Sequence, residues 1–437
     1  MNHENAKLNR SIPIVLSFFL VLGLLPSIYN PNSALYNWMN SDPVKNIYWV
    51  VVASLFVIYG IIVWSKNHIE PPLRYGLMFL WVLIYTVLLI FVHDHSMTYI
   101  DSNGATQTFS LSLTSILMYG AETLYDLFFA FSFLFLWPYA KKEPKFKNVF
   151  PYLVILIAVA STIFGFIQGP ESRDPYLVYT SFYQSNQSLG KALFAGAFAA
   201  GVLGAEKQGK LRWVFLGIGF ALILSSGFLG LSITFWALIG ATFFIALVIL
   251  NSPKGDFDHK AYRYAALAYV LAIIAFALLM AIPSDVASSL RVYFGNEFAV
   301  VWADRSSSWS RFLNSLSSWR LFIGDGAMGY YRSNILAGNG ETYASLNSGI
   351  MSVYDGGGLV YLMFYILIIV VGLARFKRTE GRHSSFYAVV LAFTGAFLLY
   401  TVLTDERLLF SSHYLSFVAS YLFMCYPRYK DAEDEPD

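Results

Sequence analysis

The sequence predicts an all-α integral membrane protein with about twelve transmembrane helices and one long polar loop. Hydrophobic residues make up 57% of the 437-residue chain and charged residues only 13%, whereas a soluble domain carries about 25% charged residues. Apolar runs of about 20 residues, the length needed to cross a bilayer, recur along the chain. The nearly neutral net charge of +2 argues against nucleic acid as a partner.

Hydropathy places the predicted spans in order along the chain. They lie at residues 12–30, 47–65, 75–93, 112–138, 149–168, 187–204, 212–225, 228–250, 263–283, 348–374, 384–402 and 408–426. The seventh and eighth spans form one apolar run, and we expect a tight turn at Ser225–Gly227 to divide them. No small-residue cleavage site follows the first span, so we interpret it as a retained helix.

Basic residues predict the orientation of these helices. With the N-terminus inside, 20 of the 29 lysines and arginines fall in short inner segments, which is the positive-inside pattern. Both termini are therefore predicted to be cytoplasmic. The chain then divides into spans 1–9 (residues 1–283), an outer loop with an amphipathic helix (284–346), spans 10–12 (347–426) and an acidic cytoplasmic tail (427–437).

The predicted outer face carries arginine in preference to lysine. Its basic residues are two lysines and seven arginines, namely Lys45, Lys191, Arg173, Arg291, Arg305, Arg311, Arg320, Arg332 and Arg407. The planar arginine fork pairs bidentately with phosphate oxygens, which an ammonium group cannot do. The outer loop therefore predicts binding of a phosphorylated group at the membrane surface. The alternative is that its five arginines pair with the five acids of the same loop.

Residues 306–322 of the loop have helical periodicity. Apolar residues recur there at i, i+3, i+4, i+7 and i+10, namely Trp309, Phe312, Leu313, Leu316 and Trp319. Such a helix would either lie in the outer interface, with its tryptophans at headgroup depth, or pack on the bundle. Both arrangements hold Arg305 and Arg320 near the level of the lipid phosphates.

Two glycine-rich or polar motifs adjoin the predicted outer face. The segment GDGAMG at residues 324–329 matches the dinucleotide fingerprint in letters only, because no strand or βαβ unit surrounds it. We expect a tight turn there, with a backbone N–H nest for phosphate as the alternative. The sixth span opens with Asn186, Gln187 and Lys191, at a helix N-terminus where anions are favoured. Simple capping by Ser185 or Asn186 is the alternative and does not exclude binding.

Carboxylates and histidines inside or beside the spans are candidate functional or metal-binding residues. Glu122 and Asp126 lie four residues apart on one face of the fourth span. Intramembrane carboxylates are often functional, but we interpret this pair as lying near the outer end of a helix that begins late. The sequence His93-Asp94-His95 makes a poor metal site because no further ligands adjoin it. We therefore predict no metal.

Several short motifs resemble those of the O-antigen polymerase and O-antigen ligase superfamily of bacterial cell envelopes. SFYQSNQSLGKAL looks like the family's segment at the start of a helix, with Asn186 and Gly190 in the motif positions. DRSSSW looks like the R-x-x-x-W region of the family's long loop, with Arg305 as the arginine, and GDGAMG stands at its G-x-G turn. SLNSGIMSVYDGGGLVYL is similar to the segment that leaves the loop.

The chain also departs from the family pattern at two positions. Where the family often has arginine in T-x-S-R-G, this chain has Gly227, and the histidine that ligases carry after the loop is Leu346, followed by Asn347. The missing histidine favours polymerase over ligase.

The resemblance implies a fold of the GT-C-like membrane glycosyltransferase type and an activity. Members transfer a glycan from undecaprenyl pyrophosphate to an acceptor sugar at the outer face of the bacterial cytoplasmic membrane, with inversion and without metal or another cofactor. The expected partners are a lipid-linked oligosaccharide, membrane lipids and a chain-length regulator protein. The alternatives are a ligase that transfers glycan to lipid A core and, from another class, a lipid-linked oligosaccharide transporter.

Under this reading the site residues have two tasks. Arg305, Arg311, Arg320 and Arg332, with Asn186, Lys191 and Asn347, would bind pyrophosphate or glycan. Arg305 would also stabilise charge on the departing pyrophosphate, and Asp355, Glu341 or His413 would accept the proton of the acceptor hydroxyl.

Overall fold

The computed structural model of the protein describes a subset of its residues. These are residues 3–25, 37–38, 41–67, 73–92, 95–100, 104–136, 148–173, 176–183, 186–207, 209–230, 320–324, 326, 349–380 and 385–403. Most of them are helical. The predicted eighth, ninth and twelfth spans, and the outer loop apart from the residues around 320–326, lie outside this set.

Ten helices and four short strands are numbered here in chain order. The helices are α1 His3–Leu24, α2 Asp42–Asn67, α3 Leu73–Val92, α4 Leu113–Phe135, α5 Val149–Gln168, α6 Asn186–Glu206, α7 Lys210–Gly230, α8 Arg320–Ile323, α9 Gly349–Glu380 and α10 Ser385–Leu403. The strands are β1 Ser96–Ile100, β2 Thr106–Ser110, β3 Glu171–Arg173 and β4 Tyr176–Val178.

Four helices of the described part are long and apolar enough to cross a membrane. Their spanning segments are Ala6–Leu24, Pro43–Lys66, Val149–Gln168 and Val353–Arg378. Large apolar side chains on these helices face outward, as Leu55 and Trp64 do on α2 and Ile167 does on α5. A bilayer would cover such surfaces, so the chain is a helical membrane protein.

Two parts of the sequence-based fold are wrong. The fold is not purely α-helical, because two antiparallel hairpins join helices: β1 pairs with β2 between α3 and α4, and β3 pairs with β4 between α5 and α6. The turn expected at Ser225–Gly227 is absent, because α7 continues through these residues to Gly230. Small residues that suggest a turn in sequence are accommodated inside the helix here, as is common in membrane helices.

The position of the acids in the fourth span was also predicted wrongly. Helix α4 begins at Leu113, where the Ser112 side chain accepts a hydrogen bond from the Ser115 amide. Glu122 and Asp126 follow nine and thirteen residues later, which puts them about 14 and 20 Å along the helix at 1.5 Å per residue. Asp126 is buried and Glu122 is half-buried. The pair therefore lies inside the bundle and not near the end of its helix.

Helix α6 is the most enclosed helix of the described part. Its residues from Ala192 to Gly204 are all buried, and it packs against α5, α7 and α10. Glycine and alanine make this possible: a methyl group on Gly196 would overlap Cβ of Ala158 on α5. Small residues at such contacts allow helices to approach closely in membranes.

Aromatic side chains fill the space between α1, α2 and α4. Phe56 packs edge-on to Phe19 and to Tyr125, and Tyr125 stacks on Phe129. The hydroxyl of Tyr125 donates to the carbonyl of Phe19, and Tyr48 donates in the same way to Leu22. These bonds satisfy phenols that would otherwise be buried without a partner.

Candidate functional site

Helix α9 is broken at a run of three glycines. Gly358 adopts φ 63° and ψ −165°, values that no helical residue has. Gly356 and Gly357 precede it directly. A break inside a helix leaves backbone N–H and C=O groups without their usual partners, and in a membrane these groups must be satisfied by protein.

The segment of residues 320–324, which contains α8, packs directly on this break. Gly324, which follows α8 and has φ +70°, lies so close that a methyl group on it would be 2.5 Å from the Gly358 nitrogen, 2.6 Å from the Gly357 nitrogen and 2.7 Å from the Asp355 carbonyl oxygen. A methyl group on Gly358 would in turn lie 2.5 Å from the Ile323 nitrogen. The two backbones can meet only because both positions are glycine.

Tyr85 on α3 holds the two segments together. Its hydroxyl lies 2.8 Å from the carbonyl oxygen of Gly357 and 3.3 Å from that of Ile323. The adjacent Thr86 shares a hydrogen bond with the hydroxyl of Tyr361, one turn beyond the break. The rings of Tyr85 and Tyr361 pack edge to face at 5.5 Å. Helix α3 therefore contacts the loop segment and both sides of the break.

Asp355 is the charged residue of this assembly. It immediately precedes the glycine run and is 3% exposed. The Tyr119 hydroxyl of α4 would lie 3.8 Å from a methyl group on Gly356. A buried carboxyl group thus sits among tyrosines and irregular backbone, the kind of surroundings in which carboxyl groups act as acids or bases.

Tyr85 on α3, Tyr119 on α4 and Gly357 on α9 lie at similar distances from the ends of their helices. Tyr85 is seven residues before the end of α3, Tyr119 is six residues after the start of α4, and Gly357 is eight residues after the start of α9. At 1.5 Å per residue these separations are about 10, 9 and 12 Å. Because the hairpin of β1 and β2 joins the ends of α3 and α4 concerned, the break lies about two helical turns from that hairpin.

Two acids of α4 lie beyond Tyr119 along the helix, further from the hairpin of β1 and β2. Tyr119, Glu122 and Asp126 stand at i, i+3 and i+7, so they share the face of α4 that Tyr119 presents to Gly356. The sequence interpretation discounted both acids. The serine N-cap immediately before the apolar run was the signal that α4 begins early.

The segment before α6 forms a second irregular region. Ser181 has φ 55°, the only such non-glycine residue in the described part, and its hydroxyl donates to the Ser161 carbonyl at 2.8 Å. The Tyr183 hydroxyl lies 3.1 Å from the Ser161 hydroxyl. Burial raises the pKa of Tyr183 to about 12, and the hydrogen bond shared with Ser161 opposes that rise. Tyr183 therefore stays protonated at neutral pH.

The structure places four of the predicted site residues. Asp355 lies beside the break, and Arg320 begins α8, the helix that leads into Gly324. Asn186 begins α6, as the motif predicts, and Lys191 follows in its second turn. The other six lie outside the described residues, namely Arg305, Arg311, Arg332, Glu341, Asn347 and His413. Sequence reasoning missed Tyr85, Thr86 and Tyr361, because single hydroxyls in apolar spans carry no motif.

Comparison with known proteins does not identify a family for the chain. No protein-family model matches the chain, and no curated protein matches it in sequence.

Proposed function

We propose that the protein is a polysaccharide repeat-unit polymerase, which transfers a glycan from undecaprenyl pyrophosphate to the acceptor sugar of another lipid-linked repeat unit. One observation carries the proposal. Gly324, the first residue of the segment that resembles the family's loop turn, is in backbone contact with Asp355, Gly357 and Gly358 of the segment that resembles the loop exit, and Asp355 is buried. Segments that share one site are expected to meet, and these meet although about thirty residues separate them in sequence.

The proposed reaction is a single displacement. The acceptor hydroxyl oxygen attacks the anomeric carbon of the donor glycan, and the bond from that carbon to the pyrophosphate oxygen breaks with inversion. The leaving pyrophosphate takes the electron pair and is stabilised by arginine, with Arg305 as the principal residue. Asp355 accepts the proton of the acceptor hydroxyl. Arg311, Arg320 and Arg332 hold the donor, and no metal takes part.

The test of the base is Asp355→Asn. The amide keeps the size of the side chain but cannot accept the proton, so we expect turnover to fall about 100- to 10,000-fold. Polymer length is measured as a ladder on undecaprenyl pyrophosphate in cells lacking the native gene, at equal membrane levels of protein. Gly356→Ala is the matched control, because its methyl group meets nothing closer than the Tyr119 hydroxyl at 3.8 Å. Full polymerisation by Asp355→Asn would remove Asp355 from the mechanism and leave Glu341 and His413 as bases.

The test of the phosphate role is Arg305→Lys. If Arg305 grips pyrophosphate with both arms of its fork, lysine cannot replace it, and turnover should fall about 100- to 1000-fold. If Arg305 only pairs with a neighbouring acid at the surface, lysine should serve nearly as well, because exposed pairs contribute about 0–1 kcal/mol. Near-normal polymer from Arg305→Lys would reject the pyrophosphate role. Transfer of glycan to lipid A core by the wild-type protein would instead identify a ligase.

A transporter of lipid-linked oligosaccharide is the second candidate, and the structure offers a specific observation for it. Transporters bind substrate near broken helices in the membrane, and here Asp355 at the break is followed inward by Glu122 and Asp126. The two functions are separated in liposomes that contain the purified protein and lipid-linked repeat units. Polymer without movement of single units across the bilayer supports the polymerase, and movement without polymer supports the transporter.

A further inference from the structure

We infer that Tyr85 is a positioning residue that holds the loop segment of residues 320–324 against the break in α9, and thereby fixes the backbone that carries Asp355. Its effect on turnover rests on the proposed function, whereas the contact itself does not.

Two backbone carbonyls at the break lie near the Tyr85 hydroxyl. The Gly357 and Ile323 carbonyls meet where two irregular backbone segments touch, and the Tyr85 hydroxyl is within hydrogen-bond distance of both. A phenol has one proton to donate. The shorter distance of 2.8 Å to Gly357 marks the principal bond, and the 3.3 Å distance to Ile323 marks the weaker one. One hydroxyl thus joins a carbonyl of the loop segment to a carbonyl of the broken helix.

Buried neighbours hold the Tyr85 side chain in place. The Thr86 hydroxyl lies 2.7 Å from the Val82 carbonyl within α3 and also pairs with the Tyr361 hydroxyl. The Tyr361 ring is 1% exposed and packs against the Tyr85 ring. Tyr85 therefore cannot swing away without disturbing buried neighbours, so its hydroxyl stays fixed relative to α9.

The contact between the loop segment and α9 also confines the backbone at Asp355. A methyl group on Gly324 would lie 2.7 Å from the Asp355 carbonyl oxygen, so the loop segment lies directly against the peptide unit that follows Asp355. If the Tyr85 hydroxyl is removed, the loop segment loses its bond to α3, and the Asp355 peptide loses the neighbour that confines it. The carboxyl group of a base must be held to a fraction of an ångström to act efficiently.

The experiment compares Tyr85→Phe with Tyr48→Phe in the full-length protein. Both variants remove one phenol that donates to a backbone carbonyl, Tyr48 to Leu22 between α1 and α2, and both keep the ring. Amide hydrogen exchange is followed by mass spectrometry in lipid nanodiscs. We expect Tyr85→Phe to speed exchange at residues 320–324 and 356–361 by about three- to tenfold, in line with membrane hydrogen bonds, and Tyr48→Phe to leave both segments unchanged.

The second readout is the pH dependence of polymerisation. A loss of folded protein lowers the whole profile by one factor, whereas a displaced base shifts the acidic limb along the pH axis. Tyr85→Phe should shift that limb, and Tyr48→Phe should not. Unchanged exchange at residues 320–324 in Tyr85→Phe would overturn the contact, and faster exchange with an unshifted limb would overturn the positioning of Asp355. If the wild-type protein makes no polymer, the proposed function fails, and the exchange result alone decides whether Tyr85 holds the loop.

Discussion

Glycine does two different things in two regions of this protein. At the break in α9, Gly324 and Gly358 have φ +70° and +63°, so glycine permits a backbone shape and a backbone-to-backbone contact. At the contact between α5 and α6, Gly196 is helical and only leaves room for the Ala158 methyl group. The first region depends on backbone conformation and the second on side-chain volume. The difference predicts how each region responds to a single added methyl group.

The largest effect is expected at the break. Gly358→Ala places a side chain at φ 63° and ψ −165°, a conformation essentially restricted to glycine that costs about 1–3 kcal/mol, and drives its methyl group into the backbone at Phe322 and Ile323. Backbone cannot move aside as a side chain can. We expect loss of polymerisation and of the loop contact, read as faster amide exchange at residues 320–324. Gly356→Ala, two residues away, meets only the Tyr119 hydroxyl at an ordinary contact distance of 3.8 Å and should behave as wild type. Equal effects of the two substitutions would contradict the distinction.

A smaller effect is expected where α5 meets α6. Gly196→Ala overlaps the Ala158 Cβ, and overpacking of this kind costs about 1–3 kcal/mol, partly offset by the better helix propensity of alanine. We expect a lower thermal unfolding temperature in detergent, with activity retained at low temperature.

A compensating substitution on α5 tests whether side-chain volume causes the loss of stability in Gly196→Ala. Adding Ala158→Gly to Gly196→Ala moves the methyl group from one helix to the other and should restore most of the lost stability. The same strategy has no counterpart at Gly358, because the atoms that its methyl group would meet are backbone. A double variant that is no more stable than Gly196→Ala would show that volume is not the cause.

A still smaller effect is expected from Thr86→Val on α3. Valine keeps the shape but removes the hydroxyl that pairs with Tyr361. Hydrogen bonds between membrane helices contribute about 0.6 kcal/mol on average. Thermal unfolding should shift down slightly, and exchange at residues 320–324 should change less than in Tyr85→Phe. A larger effect on exchange than that of Tyr85→Phe would assign the holding role to Thr86.

The smallest effect is expected at Gly217 on α7. Its position is exposed, and an added methyl group would meet nothing within 4 Å. Alanine should therefore be neutral or should stabilise the helix by up to about 1 kcal/mol through propensity. Thermal unfolding checks this, and a clear loss of stability would point to a contact in the assembled protein at that face.

The sequence predicted the helices better than their junctions. Span 149–168 matches α5, and the start of α6 at Asn186 was marked by its motif, because apolar length and polar helix starts are local signals. The Ser225–Gly227 turn was wrong because glycine and serine break helices in water more than in a membrane bundle. The two hairpins were missed because five- and three-residue strands lack a measurable period.

The candidate site was predictable in its motifs and not in its geometry. Asp355 and the GDG turn were singled out by resemblance, but their contact joins segments far apart in sequence, which no periodicity encodes. The role of Tyr85 could not be predicted for the same reason. Its importance comes from two carbonyls on other elements, and neither appears in the residues around it.

The break also divides the length of α9 in a way that matters for the membrane around it. From Leu359 to Ala374 the helix has 16 uncharged residues before Arg375, which is about 24 Å at 1.5 Å per residue and less than a hydrocarbon core of about 30 Å. The residues around the break are therefore needed to complete the spanning segment Val353–Arg378, which includes Asp355. A span interrupted by a backbone break must match the bilayer in two parts, so acyl-chain length becomes a physical influence on the geometry of the break.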